Sequence, residues 1–133
     1  MINFTIPLPP ITKKNSQRIV WAKNRSIIIP SEAYKRYESE CAYFIPSNLV
    51  RKGIKNPINL KVVYYMPTKR KVDLNNLLEA TTDILVFYGV LEDDNRDIVA
   101  THDGSKVLYD KENPRCEIEI TFLEGYEQWK KAK

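Results

Sequence analysis

The residues in this 133-residue chain whose types and spacing suggest chemistry are mostly oxygen donors. Asp73 and Asn75 stand two residues apart at what reads as a helix start. Asp93 and Asp94 follow the far end of that helix, inside the run Glu92-Asp93-Asp94. Neighbouring carboxylates repel one another unless a cation shares them. An oxygen-only donor set suits Mg²⁺, with Mn²⁺ as a possible substitute. The expected chemistry is therefore metal-assisted hydrolysis, with Asp73, Asn75, Asp93 and Asp94 as candidate ligands. Asp73 also has a simpler reading as a helix N-cap. Glu79 lies four residues after Asn75 on the same helical face, where it could add a carboxylate. No grouping of His and Cys suggests zinc. His102 stands alone and reads as a strand histidine without a metal role.

Cations are arranged around this centre. Residues 1–72 hold 14 Lys/Arg against 3 Asp/Glu, and residues 73–133 hold 7 against 14. Lys69, Arg70 and Lys71 lead directly into Asp73. Lys13, Lys14, Asn15, Arg18, Lys23 and Arg25 form a second group near the N-terminus. One reading is a groove for nucleic acid, whose phosphates attract Lys and Arg without reporting sequence. The other is a pair of solvated faces that neutralise each other in the fold.

The scaffold is legible from periodicity. Ile2, Phe4 and Ile6 alternate with Asn3 and Thr5, which predicts a first strand ended by Pro7, Pro9 and Pro10. Arg18–Trp21 and Ser26–Ile29 flank a basic tip and predict a hairpin. Ser31 is placed to cap a helix over 32–44, with Ala33, Tyr37, Cys41 and Phe44 on one stripe and Tyr34 beside them. A basic loop over 51–57 leads to a strand over 58–66. A second helix is expected from Leu74 to Tyr88, stopped by Gly89. On it, Asp83 falls about 280° round from Asp73 and is expected to make a structural or interfacial contact. Asp97–Tyr109 reads as one strand bent at Gly104, and Cys116–Phe122 as the last. The order predicts an α+β fold in a single domain spanning 1–133: a mixed β-sheet with two helices packed on one face. Residues 124–133 are a polar tail in which Tyr126 and Trp129 are expected to dock.

Composition narrows the function classes. A hydrophobic fraction of 43% with 29% charged residues is that of a globular domain. No run approaches the ~20 apolar residues of a membrane span, and the N-terminus lacks the pattern of a signal peptide. Cys41 and Cys116 form no C-x-x-C motif and are expected to be reduced and buried. A cytoplasmic protein without membrane contact follows.

The run from Val72 to Leu85, V-D-L-N-N-L-L-E-A-T-T-D-I-L, followed by G-V-L-E-D-D over 89–94, resembles the core of the RusA-type Holliday junction resolvases. Their pattern is D-apolar-D-N-L-x-K-A-x-x-D-x-L, then a short gap and an apolar-x-D-D segment. Asp73, Asn76, Leu77, Ala80, Asp83, Leu85, Asp93 and Asp94 match it. The likeness extends over residues 1–123, through the proline-ended first strand, the Lys/Asn loop and the Met66-Pro67 strand end. It implies a RusA-like fold and a Mg²⁺-dependent endodeoxyribonuclease acting as a homodimer on four-way junction DNA. It also implies a role in DNA recombination and repair, in bacteria or phage-infected cells. The three family aspartates of the metal site fall on Asp73, Asn75 and Asp94, with Asp93 adjacent. Two positions depart from the pattern: Asn75 replaces an aspartate and Glu79 replaces a lysine. An amide oxygen still ligates Mg²⁺ but brings no charge, and Glu79 restores the carboxylate count. A binding-only relative of the same fold, and a small protein-interaction domain with an acidic patch, are the competing expectations.

Overall fold

Alternation of apolar and polar residues gives this chain a sheet with one oily face. A computed structural model describes residues 1–13, 17–22 and 25–125, with the backbone alone for 17–22 and 25–30. The elements are β1 (Ile2–Ile6), β2 (Gln17–Ala22), β3 (Arg25–Pro30), α1 (Glu32–Cys41), β4 (Ile58–Met66), α2 (Leu74–Phe87), β5 (Val99–Thr101), β6 (Lys106–Tyr109) and β7 (Arg115–Phe122). The main sheet runs β1-β7-β4-β5, with β6 also on β4. β7 runs antiparallel to both its neighbours, β1 and β4, whereas β5 and β6 lie parallel to β4, so the sheet is mixed.

Register places the core. Leu60 pairs with Ile120, Val62 with Ile118 and Tyr64 with Cys116 across β4 and β7. Phe4 and Ile6 of β1 meet Ile118 and Cys116 from the other side. All eight are buried, and each large apolar side chain so covered is worth about 1.5–3 kcal/mol. Both helices lie on that face. From α1, the Tyr37 hydroxyl reaches the Cys116 Sγ at 3.5 Å, and from α2 the Thr81 hydroxyl meets the Tyr64 hydroxyl at 2.6 Å. The opposite face carries Asn3, Thr5, Lys61, Glu117 and Glu119 around a shallow hollow.

Two buried phenols predict opposite outcomes. The Tyr64 hydroxyl is satisfied by Thr81, whereas the buried Tyr34 hydroxyl has no hydrogen-bond partner among the described residues. Tyr64→Phe should lower stability by about 1–2 kcal/mol, because it leaves buried Thr81 without its partner. Tyr34→Phe should be neutral or stabilising by up to about 1 kcal/mol, because an unsatisfied group is removed. Urea unfolding of the two variants decides this, and equal losses would overturn it. Cys41 and Cys116 are free and buried, and burial pushes both thiols up to about 12, so neither is a reactive nucleophile.

Three expectations change. Helix α1 ends at Cys41, not Phe44, because the amides of Ala42, Tyr43 and Phe44 bond three residues back and tighten the chain into turns. Phe44 is consequently exposed, and in the first turn Ala33 is exposed while Tyr34 takes the core position. Asp97–Tyr109 is two short strands, not one bent strand. Between them β4 is served by side chains: the Ser105 hydroxyl accepts from the Val62 amide at 3.0 Å, and His102 Nδ1 donates to the Leu60 carbonyl at 2.9 Å. The hairpin forms as expected, but as a two-stranded sheet of its own. The tail containing Tyr126 and Trp129 lies outside the described residues.

Candidate active site

Helix α2 is fixed at both ends by its own sequence. At the start, Asp73 Oδ1 accepts the Asn75 amide at 2.8 Å, so the N-cap reading of Asp73 holds. A carboxylate has acceptor capacity for about four bonds, so the cap leaves most of it available. At the other end the Val90 amide bonds Leu85 O at 2.8 Å and the Gly89 amide bonds Val86 O at 2.9 Å. With Gly89 at φ 72°, this is a Schellman closure.

The chain leaving that closure is stitched to the loop before β4. Tyr88, Gly89 and Val90 carbonyls accept the amides of Arg51, Gly53 and Ile54 at 2.9, 2.7 and 3.0 Å, and the Glu92 amide returns to Ile54 O at 3.0 Å. Val90 and Leu91 are fully buried beyond it. Glu92, Asp93 and Asp94 are thereby delivered as an exposed turn on an anchored base. Asp93 shapes that turn from within. Its Oδ1 accepts the Asp94 amide at 2.7 Å and its Oδ2 accepts Asn95 Nδ2 at 3.4 Å. Glu92 is paired with Lys55 at 3.5 Å.

Between α2 and β5 lies a cleft of about 250 Å³ lined by Asn75, Leu78, Glu79, Thr82, Asp94, Val99 and His102. Asn75, Glu79 and Asp94 therefore share one cavity. Asp73 and Asp93 are not among its walls; Asp73 sits at the helix cap and Asp93 in the turn beneath Asp94. Among the described residues no three His, Cys, Asp or Glu side chains converge as a ready-made metal cage.

His102 is the wall residue that sequence reading missed. It lies just after β5 and not within a strand. A carbonyl only accepts, so the bond to Leu60 O puts the proton on Nδ1 and leaves the Nε2 lone pair unprotonated in the neutral ring. An isolated histidine in a β-prone stretch gives no local signal of this. Asp83 points to Lys13, with Nζ–Oδ2 3.7 Å, which is the structural contact expected of it. It is nonetheless coupled to the cleft. Burial pushes its carboxyl above the usual range, Lys13 opposes that, and Glu79 and Asp94 add to it.

The basic residues divide. Lys69, Arg70 and Lys71 are exposed, and the Lys69 ammonium sits 5.1 Å from the centre of the Tyr109 ring, a cation–π contact. Arg18 and Arg25 stand on the backbone of β2 and β3, while Lys14, Asn15 and Lys23 lie outside the described residues.

A family profile described as "Endodeoxyribonuclease RusA" matches residues 7–121. The chain belongs to the RusA family. Relatives of the RusA family include the crossover junction endodeoxyribonuclease rusA of Enterobacteria phage HK97, 29% identical over 123 residues, which cover 92% of this chain and 95% of that one. The protein of the same name from Enterobacteria phage 82 is 28% identical over 92 residues, or 69% and 72% of the two chains. The RusA protein of Escherichia coli K12 matches to the same extent. Membership fits the mixed sheet and the two helices on one face, and the matched residues include all those that line the α2 cleft.

Proposed function

We propose that this RusA-family chain is a crossover junction endodeoxyribonuclease that hydrolyses phosphodiesters in four-way or branched DNA with a divalent metal. Mg²⁺ is the expected ion and Mn²⁺ its substitute. The observation that carries the reading is the single cleft in which α2 and the turn after it present Asn75, Glu79 and Asp94. The donors fit such an ion without a three-carboxylate cage. Mg²⁺ keeps several waters and is commonly held through one or two carboxylates plus substrate phosphate.

In this reading Glu79 from α2 and Asp94 from the turn after it supply the charge, and Asn75 supplies an amide oxygen. Asp73 contributes its remaining acceptor capacity from the helix cap. Asp93 holds the turn that aims Asp94, and acts through that turn. A bound divalent ion polarises the phosphate and lowers the pKa of the attacking water. Lys69, Arg70 and Lys71, with Lys13, Lys14, Asn15, Arg18, Lys23 and Arg25, neutralise phosphates along the arms. Four-way junctions are nearly two-fold symmetric, so a C2 homodimer with two such clefts would cut opposed strands. No helix is long and apolar enough to cross a membrane among the described residues, and a branched-DNA substrate supports a cytoplasmic location in a bacterial or phage-infected cell.

The departures at Asn75 and Glu79 favour a second reading, a relative that binds branched DNA and has lost hydrolysis. A synthetic mobile four-way junction separates the two. Nicks in opposed strands with Mg²⁺ or Mn²⁺, abolished by EDTA, are the expected result. Salt-sensitive binding without nicks selects the second reading, and no binding at low salt removes both. Asn75→Asp adds a third carboxylate to the cleft. It should change the junction cleavage rate by no more than about tenfold if Glu79 already restores the charge. Cleavage that appears only in Asn75→Asp would show that Glu79 does not compensate.

A further inference from the structure

Asn75, Glu79 and Asp83 are spaced four residues apart along α2 and so form one row down one side of the helix. The first two line the cleft with Asp94, and the third carries Lys13 at 3.7 Å. From Asn75 to Asp83 the row is about 12 Å long at ~1.5 Å per residue. A DNA strand covers that distance in a few nucleotides at ~3.4 Å each. Lys13 therefore stands where a strand entering the cleft would pass.

The ion pair is poised and not tight. Its side chains are 41% and 33% exposed, and a pair of that kind adds at most about 1 kcal/mol. Asp83 also sits within the field of Glu79 and Asp94, which oppose its ionisation. Lys13 pairs with this row through Asp83, and the carboxylates of the row by themselves repel a polyanion. Its ammonium is a mobile point charge on a flexible stem, able to exchange one oxyanion for another.

The geometry points to Asp83 as a positioning residue, which holds Lys13 at the end of the cleft row until a phosphate of branched DNA takes the ammonium in its place. This rests on the nuclease reading for its substrate and adds to it a residue that touches no substrate itself. Lys13 gives the cleft a phosphate contact in line with the carboxylates. Asp83 keeps that contact in place before DNA arrives.

The test is a double-mutant cycle read first in binding and then in cleavage. Junction affinity is titrated against salt in EDTA for wild type, Lys13→Ala, Asp83→Asn and the double variant. Loss of one phosphate contact should flatten the log–log salt slope by about 0.9 in Lys13→Ala. In the Asp83→Asn background the same substitution should flatten it by less than half as much, because Lys13 is no longer placed. In Mg²⁺, each single variant should lower the single-turnover rate about tenfold and the double variant no further, the mark of groups acting as a unit. Lys13→Arg should recover most of the rate, which excludes simple loss of folding. An unchanged slope in Lys13→Ala, equal flattening in both backgrounds, or multiplying rate losses would overturn the proposal. A wild type that binds but never cleaves would remove the nuclease reading, and the slopes would still decide the role of Asp83.

Discussion

Asp94→Asn should lower junction cleavage at least about a hundredfold while leaving the thermal transition within a degree or two. Loss of a group that merely supports a metal ligand costs roughly 10–100-fold, so loss of a charged wall of the cleft should cost more. The fold should be indifferent. Asp94 is exposed, and the turn it occupies is held by the Asp93 carboxylate and the Glu92–Ile54 bond, not by the Asp94 side chain. Asp73→Asn makes a companion experiment. Asparagine caps a helix as well as aspartate does, so any loss of rate there reports chemistry and not unfolding. Junction affinity in EDTA should stay level or rise in both, since a negative charge near phosphate has gone. If both variants cleave at the wild-type rate, the placement of the active site in this cleft fails.

The second large effect comes from a residue with no chemistry of its own. Gly89→Ala should destabilise the protein by about 2–5 kcal/mol, combining ~1–2 for a left-handed backbone with ~1–3 for overlap. A Cβ built there comes within 2.9 Å of Arg51 Cα and 3.2 Å of Arg51 N, and both are backbone atoms that cannot swing aside. Scanning calorimetry should show a fall of roughly 10 °C. Gly53→Ala is the control: its φ is 64°, but nothing lies within 4 Å of the added atom, so only the backbone term of about 1–2 kcal/mol remains. Equal losses in the two variants would show that the Arg51 contact relaxes freely. Because Gly89 also starts the stitched segment that carries Asp94, the folded fraction of Gly89→Ala should cleave more slowly than wild type.

These two residues mark what could be read in advance. Helix α2 was legible because its signals are local: a cap at Asp73, a 3.6-residue apolar period and a glycine at the end. The acidic run after the helix drew attention to Asp94, and the structure sets Asp94 in the wall of the cleft. What sequence could not supply is whatever depends on partners far along the chain. Asp97–Tyr109 is β-prone on both sides of Gly104, which read as a bend, and its division follows from side chains that serve β4 across more than 40 residues. His102 enters the cleft by the same route. The Lys13–Asp83 pair joins positions 70 residues apart, so the helical-wheel angle could direct Asp83 away from Asp73 without naming its contact. In α1 the period correctly placed Tyr37 and Cys41, but the early tightening of the last turn moved Phe44 out of the core.

The division of the outer strand has a bearing on behaviour at high concentration. An unbroken partner along β4 would offer other molecules a long row of unpaired backbone groups. Instead the rim consists of pieces of three and four residues, β5 and β6, separated by a turn whose side chains serve β4. Neither piece is long enough to template a strand from a neighbouring molecule, and Lys106 places a charge on the second. At the opposite rim, β1 is only five residues long and runs into Pro7, Pro9 and Pro10, which cannot extend a ladder. The interruption that admits His102 to the cleft thus also guards the sheet against edge-to-edge aggregation.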